Sequence, residues 1–355
     1  MIGERLLRSR NAAGLSMQAL ANQVGLSANM IKKYEHNLSM PSSGNLLKLS
    51  KALGVRSEYF FRSNVPELRE VEFRKKSATN AGLIKQVKAD VLDQAERWFE
   101  LANLWPNFPI QPFQQPDWAP TSIKQLDDAE ALANLVRERW KLGIGPISDL
   151  IDVLESKGIL VILSSVPDNK MLDGLQARIG DKPVIVISSQ MPGDRQRFTL
   201  AHELGHLLMH GRLSDEVAEE KACNRFAGCF LLPSESLKKE IGATRHNLEL
   251  AELNFIKHEY GISMQACIYR AFDCSIISES YRVVLFRHFS ARGWRVAEPG
   301  LPYLPVHTGL FKQLVFRALG EAIIGEAKAA ELLKMPFVAF HKARMLEQSN
   351  AVIDQ

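Results

Sequence analysis

The chain has 355 residues, 46% of them hydrophobic, and a formal net charge of only +4. This length exceeds what one small core needs, so we expect two or three domains. No apolar run reaches the roughly 18 residues that cross a bilayer, and the N-terminus lacks a signal-peptide pattern, so we expect a soluble, cytoplasmic protein with no membrane partner. The four cysteines form no Cys-x-x-Cys pair, and we expect free buried thiols.

The positive charge is concentrated at one end of the chain. Residues 1–63 contain nine lysines and arginines but three acidic residues, a net of +6, so the other 292 residues sum to −2. A local excess of positive charge is typical of domains that bind a polyanion, because contacts to phosphates release counterions. This end of the chain is therefore a candidate nucleic-acid-binding domain.

The pattern of residues 2–61 predicts five short helices. Ser16 and Ser27 are placed to cap the second and third helices, and Gly25 ends the second. Two short helices joined by a turn at Gly25 form a pair in which the third helix can enter the major groove of DNA while the second crosses the DNA backbone. We treat Ser27 mainly as a cap, Ile31 and Tyr34 as core. The candidate DNA-contacting residues are Ser27, Ala28, Asn29, Lys32, Lys33 and Gln18.

Three short stretches in this region carry a family resemblance. Residues 31–35 (IKKYE), 41–42 (PS) and 49–55 (LSKALGV) resemble the XRE family of helix-turn-helix domains. The resemblance implies a five-helix, lambda-repressor-like fold and double-stranded operator DNA as partner. It also implies a homodimer, because one helix-turn-helix reads only a half-site. The usual glutamine contact does not carry over directly, since Met17 stands at its position and Gln18 follows. The alternative is a helical bundle with no role in DNA binding.

The middle of the chain changes from helical to mixed α/β character. Residues 64–126 predict a helical linker region, with a helix over 82–104 and an extended, proline-rich connector over 105–120. The apolar pattern after residue 126 predicts alternating helices and short strands. The expected elements are helices over 127–140 and 148–157, strands at 159–163 and 184–187, helices over 194–210 and 215–232, and a helical tail from about 304.

An apolar helix contains the motif His202-Glu203-x-x-His206. Four residues are about one helical turn, so both imidazoles project from one face and can bind one metal ion. Glu203 lies nearby and can take a proton from a metal-activated water. An unrelated helix with two packed histidines is the alternative. His210, one turn beyond His206, is a candidate for a supporting role or a helix cap.

A catalytic zinc site needs a third protein ligand and an open position. Glu219 and Glu220 on the next helix both continue into apolar stripes, so the pattern alone leaves the choice between them open. Asn224, one turn beyond Glu220, could orient a ligating histidine by accepting its second N–H. The side chains of Tyr260 and Tyr269, and likewise His258, are candidates for stabilising an oxyanion, and their spacing selects none of them.

The same region carries a second resemblance. Residues 198–210, then Glu220, 224–227 (NRFA) and 231–233 (LLP), resemble the ImmA/IrrE family of metallopeptidases over roughly residues 127–290. This resemblance implies a zincin-like domain with a small sheet and a gluzincin-like site that holds Zn²⁺. The ligands it implies are His202, His206 and Glu220, with Glu203 as general base.

One residue departs from the ImmA/IrrE pattern. Cys223 stands where the family usually has alanine. A small packed residue is the simplest interpretation, and a fourth zinc ligand or an oxidation-sensitive brake is the alternative.

Together these patterns predict an α+β, mainly helical chain that acts in transcription regulation. The expected activity is zinc-dependent cleavage of the chain itself or of a related repressor on a stress signal, with single-stranded DNA a candidate signal. The alternative is an XRE-type repressor or antitoxin whose zinc domain is a non-catalytic sensor or interaction module. The predicted domains are residues 1–63 (helix-turn-helix), 64–126 (linker region), 127–295 (metallopeptidase) and 296–355 (helical, without an assigned role).

We predict that two substitutions on the third helix affect DNA binding differently. Lys33→Ala should weaken binding to every duplex, because it removes a phosphate contact. It should also lower the slope of log binding constant against log salt concentration by about one. Asn29→Ala should relax sequence choice, because asparagine can pair with adenine. Titrations at several salt concentrations measure both effects, and an unchanged slope for Lys33→Ala would place Lys33 outside the interface.

Overall fold

A computed structural model describes residues 2–61, 68–75, 81–166 and 172–346. The chain divides into two compact units. Across the described ranges, every helix is too short or too polar to serve as a membrane-spanning segment. The first unit comprises Met1–Glu67, Lys85–Gln111 and Thr308–Gln355, and the second comprises Leu68–Ile84 and Pro112–His307.

The described part of the chain is mainly helical, as predicted. In sequence they are α1 (Ile2–Ala12), α2 (Met17–Val24), α3 (Ala28–Glu35), α4 (Ser43–Ala52), a 3₁₀ helix (Ser57–Phe61), β1 (Leu68–Lys75), α5 (Ala81–Leu104), α6 (Leu126–Arg139), α7 (Leu150–Ser156), β2 (Leu160–Ser164), β3 (Leu172–Ile179), β4 (Lys182–Ser188), α8 (Gly193–Met209), α9 (Glu219–Leu231), α10 (Ser234–Ile241), α11 (Leu250–Tyr260), α12 (Met264–Asp273), α13 (Glu279–Ala291), α14 (Leu310–Gly320), α15 (Glu326–Leu332) and α16 (Phe337–Arg344).

The N-terminal helices of the first unit form as their caps predict. The Ser16 hydroxyl accepts the backbone N–H of Ala19, and Gly25 ends α2 in the left-handed conformation that glycine favours. Arg10 of α1 forms a bidentate ion pair with Glu35 of α3, at 2.5 and 2.9 Å. This pair holds α1 against the end of α3 over a small apolar core. The core residues are Leu6, Leu20, Ala21, Val24, Ile31, Tyr34, Leu49, Leu53, Tyr59 and Phe60.

Helix α5 connects the N-terminal helices to the C-terminal ones within the first unit. Arg5 and Arg8 of α1 lie 2.5 and 3.1 Å from the Glu96 carboxylate of α5, with all three side chains buried. On the same helix, Trp98 stacks on Phe311 of α14 with ring centroids 5.8 Å apart. The structure therefore groups α5 and the C-terminal helices with α1–α4, which the local sequence pattern did not indicate. The predicted domain boundaries remain predictions.

The second unit contains a four-stranded sheet with the strand order β1-β3-β4-β2. β2 and β4 are parallel, with Val161 opposite Ile185, and the other pairs are antiparallel. The apolar strands β2 and β4 match the predicted ones. The sequence pattern did not predict β1 and β3 as strands. β1 lies in the region predicted as a helical linker, and the local pattern missed it because the strand with which it pairs is about a hundred residues away. Helix α9 begins at Glu219 rather than 215, and the tail becomes helical only at Leu310.

A buried ion cluster fixes the first turn of α8. Lys257 Nζ of α11 lies 3.2 Å from Asp194 of α8 and 2.9 Å from Glu298. The Glu298 carboxylate also accepts the backbone N–H groups of Met264 and Gln265 at the start of α12. Pairing of all three charges offsets the cost of burying them. Helices α11 and α12 and the segment around Glu298 are thereby tied to the helix that carries both histidines.

The burial of one carboxyl predicts that the stability of the second unit depends on pH. Glu155 of α7 is only 2% exposed, and burial raises its pKa from 4.5 to about 8. The folded state therefore favours the protonated form more than the unfolded state does. The contribution of protonated Glu155 to stability is complete below the pKa that Glu155 has in the unfolded chain. It is lost as the pH rises toward the higher pKa that Glu155 has in the folded protein.

We predict that Glu155→Gln stabilises the protein increasingly as the pH rises from about 5 to about 8, by up to about 1.4 kcal/mol per pH unit. The amide cannot ionise, so the variant avoids burying a charge at higher pH. Urea unfolding of the variant and the wild type at several pH values measures the difference. The exposed residue Glu138 supplies the control Glu138→Gln, and a pH-independent difference for Glu155→Gln would contradict the prediction.

Candidate metal centre

The two motif histidines meet on one face of α8. Their Nε2 atoms are 2.9 Å apart and their ring centroids 4.7 Å. The His202 side chain is fully buried and that of His206 is 10% exposed. The spacing of four residues thus brings the two nitrogens together.

Helix α9 packs closely against this part of α8. A Cβ atom at Gly205 would lie 3.4 Å from the Cα of Cys223 and 3.2 Å from the Phe226 ring, tighter than most real contacts. The absent side chain at Gly205 lets the backbones approach. The beginning of α9, with two consecutive glutamates, therefore reaches the histidines.

The two glutamates contact the histidines in different ways. The Glu220 carboxylate lies 3.8 Å from Nε2 of His202 and 3.5 Å from Nε2 of His206. Glu219 Oε1 is instead 2.9 Å from Nδ1 of His206. One carboxylate therefore faces the inward nitrogens and the other faces the outer nitrogen of a single ring.

Asn224 completes the surroundings of His202. Its Oδ1 lies 2.9 Å from His202 Nδ1. An Nδ1–H that donates to this oxygen leaves the lone pair on Nε2, the nitrogen that faces His206 and Glu220. Asn224 and Glu219 thus occupy the two Nδ1 atoms, and both Nε2 atoms point to one place.

The donor set fits a zinc ion. Imidazole nitrogen and carboxylate oxygen are both zinc ligands, and in a tetrahedral site such atoms lie about 3.3 Å apart. The observed separations of 2.9, 3.5 and 3.8 Å bracket that value. The Glu220 side chain is 60% exposed, so the centre opens to solvent on this side.

Cys223 is a second candidate for the third ligand. Its Sγ and one ring nitrogen of each histidine lie within 4.8 Å of one another, and its side chain is fully buried. Glu220 and Cys223 therefore both lie close enough to the two histidines to be the third ligand, and the choice of Glu220 remains a prediction.

The remaining candidates lie in different surroundings. Glu203 is 3% exposed and follows His202 on α8. His210 is exposed at the end of α8, and none of the contacts found among the described residues joins it to the two histidines. The hydroxyl of buried Tyr260 donates to Glu240.

The recognition-helix candidates lie on the surface of the first unit. Asn29, Lys32 and Lys33 are exposed on α3. The Ser27 hydroxyl accepts the Met30 N–H at 3.2 Å, as a helix cap does. Among the other candidates, Ala28 is half-buried and exposed Gln18 donates to Asn22 at 2.9 Å.

Comparison with protein-family models identifies the two main parts of the chain. Residues 154–272 match the peptidase M78 model, described as the IrrE N-terminal-like domain, and residues 6–60 match a helix-turn-helix model. The chain therefore contains a helix-turn-helix domain and an IrrE-like domain of the M78 metallopeptidase family. Both resemblances noted from the sequence are confirmed.

Three curated relatives match shorter stretches. An uncharacterized HTH-type transcriptional regulator of Sinorhizobium fredii is 30% identical over 79 residues, covering 22% of this chain and 53% of the relative. An uncharacterized transcriptional regulator from the ATPase CF(0) region of Rhodospirillum rubrum is 37% identical over 60 residues, 17% of this chain and 56% of the relative. An SPbeta prophage-derived uncharacterized HTH-type transcriptional regulator of Bacillus subtilis is 36% identical over 62 residues, covering 18% of this chain and 57% of the relative. The chain spans about half the length of each.

We predict that metal content separates the roles of the neighbouring acidic residues. Glu220→Gln should lose most of the bound zinc, because it removes the carboxylate that faces both Nε2 atoms. Glu219→Gln should retain stoichiometric zinc with an affinity weaker by about 10- to 100-fold, as is usual for a residue that orients a ligand. Metal analysis after dialysis measures both, and loss of zinc from Glu219→Gln alone would reverse the assignment.

Proposed function

We propose that this protein is a DNA-binding transcription regulator whose second unit is a zinc-dependent endopeptidase. The observation that carries the proposal is the convergence of two Nε2 atoms and the Glu220 carboxylate beside the buried Glu203. Three protein ligands and an open position are typical of a catalytic zinc site, whereas a structural site has four protein ligands.

In the proposed mechanism, His202, His206 and Glu220 hold the zinc ion. When bound, zinc supplies Lewis acidity for a peptide carbonyl and for the attacking water. Glu203 takes the proton from that water and passes it to the leaving amine, as a general base and then a general acid. Asn224 keeps the His202 ring in the orientation that ligation requires. Burial of Glu203 limits the solvation of its carboxylate.

The first unit would bring this activity to a promoter. The exposed residues Asn29, Lys32 and Lys33 are suited to contact base edges and phosphates in double-stranded operator DNA. A homodimer would read two half-sites. The substrate we propose is this chain itself or a related repressor, cut in response to stress, with single-stranded DNA as a candidate signal. The proposed compartment is the cytoplasm.

A second candidate function follows from Cys223. A thiolate fourth ligand would fill the position that a substrate needs and would make the centre a closed sensor or structural site. The supporting observation is the placement of the Cys223 Sγ within 4.8 Å of ring nitrogens of both histidines. In that case the protein would be a repressor or antitoxin that responds to zinc or to oxidation without cleaving peptides.

We predict that Glu203→Gln separates these two functions. The amide preserves shape and removes the base, so the variant should bind zinc and operator DNA as the wild type does. It should lose cleavage by about 100-fold or more, and in cells it should keep the promoter repressed under the inducing stress. The measurements are zinc content, DNA affinity, fragment masses and promoter output before and after stress.

Cys223→Ala is the matched comparison for this experiment. Under the peptidase proposal it should retain zinc and cleavage, because the three ligands and the base remain. If wild type and Glu203→Gln both stay full length, cut no partner and release the promoter equally, the peptidase proposal is wrong. Loss of zinc from Cys223→Ala would then favour the sensor.

A further inference from the structure

A groove with no part in the metal centre lies along α13 and the segment that follows it. Its volume is about 380 Å³ and it is open to solvent. Arginines and aromatic rings together line its wall, and none of its lining residues is a candidate metal ligand. Its lining includes Tyr269, Arg282, Val283, Phe286, Arg287 and Arg295.

The groove carries an excess of positive charge. Four arginines and no acidic residue occur between Ser280 and Ala297. Arg282 shares its charge with Glu279, 3.3 Å away. Arg287 and Arg295 are exposed, and within the described ranges neither forms an ion pair. Two cations at the groove are therefore available to an anionic partner.

The aromatic faces in the groove are already covered by the protein's own cations. The Tyr269 and Phe286 ring centroids are 4.7 Å apart. The Arg282 guanidinium lies over Tyr269 at 5.4 Å, and that of Arg295 lies over Phe286 at 4.7 Å. A stacked guanidinium keeps its N–H edge free for bidentate pairing with an oxyanion. Little ring surface remains on which nucleobases could stack.

Apolar side chains border the same cations. Val283 is 38% exposed and lines the groove, and its neighbour Val284 is 55% exposed. Exposed valines beside arginines match a ligand that presents an apolar side chain next to a carboxylate. A nucleic-acid backbone offers phosphates but no such apolar group.

We propose that this groove binds an acidic peptide segment with apolar residues beside its carboxylates. Arg287 and Arg295 pair with the carboxylates, and Val283 contacts the apolar side chain. The groove then serves as a docking site that is separate from the residues of the metal centre. The identification of the peptide with the protein substrate rests on the proposed peptidase function, whereas the binding itself does not.

The test measures binding in the full-length Glu203→Gln background, so that cleavage does not interfere. The probes are a labelled peptide of alternating glutamate and leucine, the same peptide with glutamine for glutamate, and a thymidine oligonucleotide of matching charge. Arg287→Glu and Arg295→Glu should each weaken binding of the glutamate peptide at least about tenfold, since each removes a charge-assisted hydrogen bond. The glutamine peptide should bind at least about tenfold more weakly.

Arg292→Glu is the matched control, because it makes the same charge change next to α13 on a residue that packs on Trp294 and does not line the groove. It should leave peptide binding within about twofold. Equal losses for Arg292→Glu and Arg287→Glu, or wild-type binding by Arg287→Glu, would overturn the proposal. So would a larger loss of oligonucleotide than of peptide binding, which would make the groove a nucleic-acid site. Failure of the peptidase proposal would leave every one of these binding results unchanged.

Discussion

The geometry of the candidate metal centre depends on the close approach of α8 and α9 at Gly205. At this position even a methyl group would press on the Cys223 backbone and the Phe226 ring. The close packing brings the start of α9 to the two histidines, and with it the carboxylates of Glu219 and Glu220. A larger residue at 205 would require the Phe226 ring or one of the two helices to shift, without changing a single candidate ligand. The donor set is therefore a property of the helix pair, and the two helices are held by an apolar core around them.

Buried ion pairs position both of the functional surfaces. Lys257, Asp194 and Glu298 tie the first turn of α8 to neighbouring elements, and Arg10 with Glu35 fixes the recognition helix against α1. Removing one partner of such a pair leaves an uncompensated buried charge, which is strongly destabilising. These pairs therefore fix geometry more effectively than they add net stability. Fixed geometry matters most where a site needs its side chains held within fractions of an ångström.

The order of the segments along the chain determines what a cut in the second unit would separate. The first unit is assembled from segments on both sides of the metallopeptidase domain, and its C-terminal helices are held on α5 by contacts such as Trp98 with Phe311 and the hydrogen bond from Arg97 to the Leu332 carbonyl. A cut within residues 112–307 would leave these helices attached only through non-covalent contacts. Whether DNA binding survives such a cut then depends on the stability of packing around α5.

Local patterns in the sequence determined the caps of α2 and α3, the apolar strands β2 and β4 and the shared face of His202 and His206, because each follows from residues a few positions apart. The family resemblances extended this to the two domain types, and they led to the prediction that Glu220 is the third ligand. Tertiary structure alone decided what depends on distant partners: β1 pairs with β3 across about a hundred residues, and α5 joins the helix-turn-helix to the C-terminal helices. It also placed Glu219 beside Nδ1 of His206 and Glu220 beside the two Nε2 atoms, and it brought the arginines of the groove together. Helical periodicity places two adjacent glutamates about 100° apart, but only the packing angle of α9 on α8 determines which of them faces both Nε2 atoms.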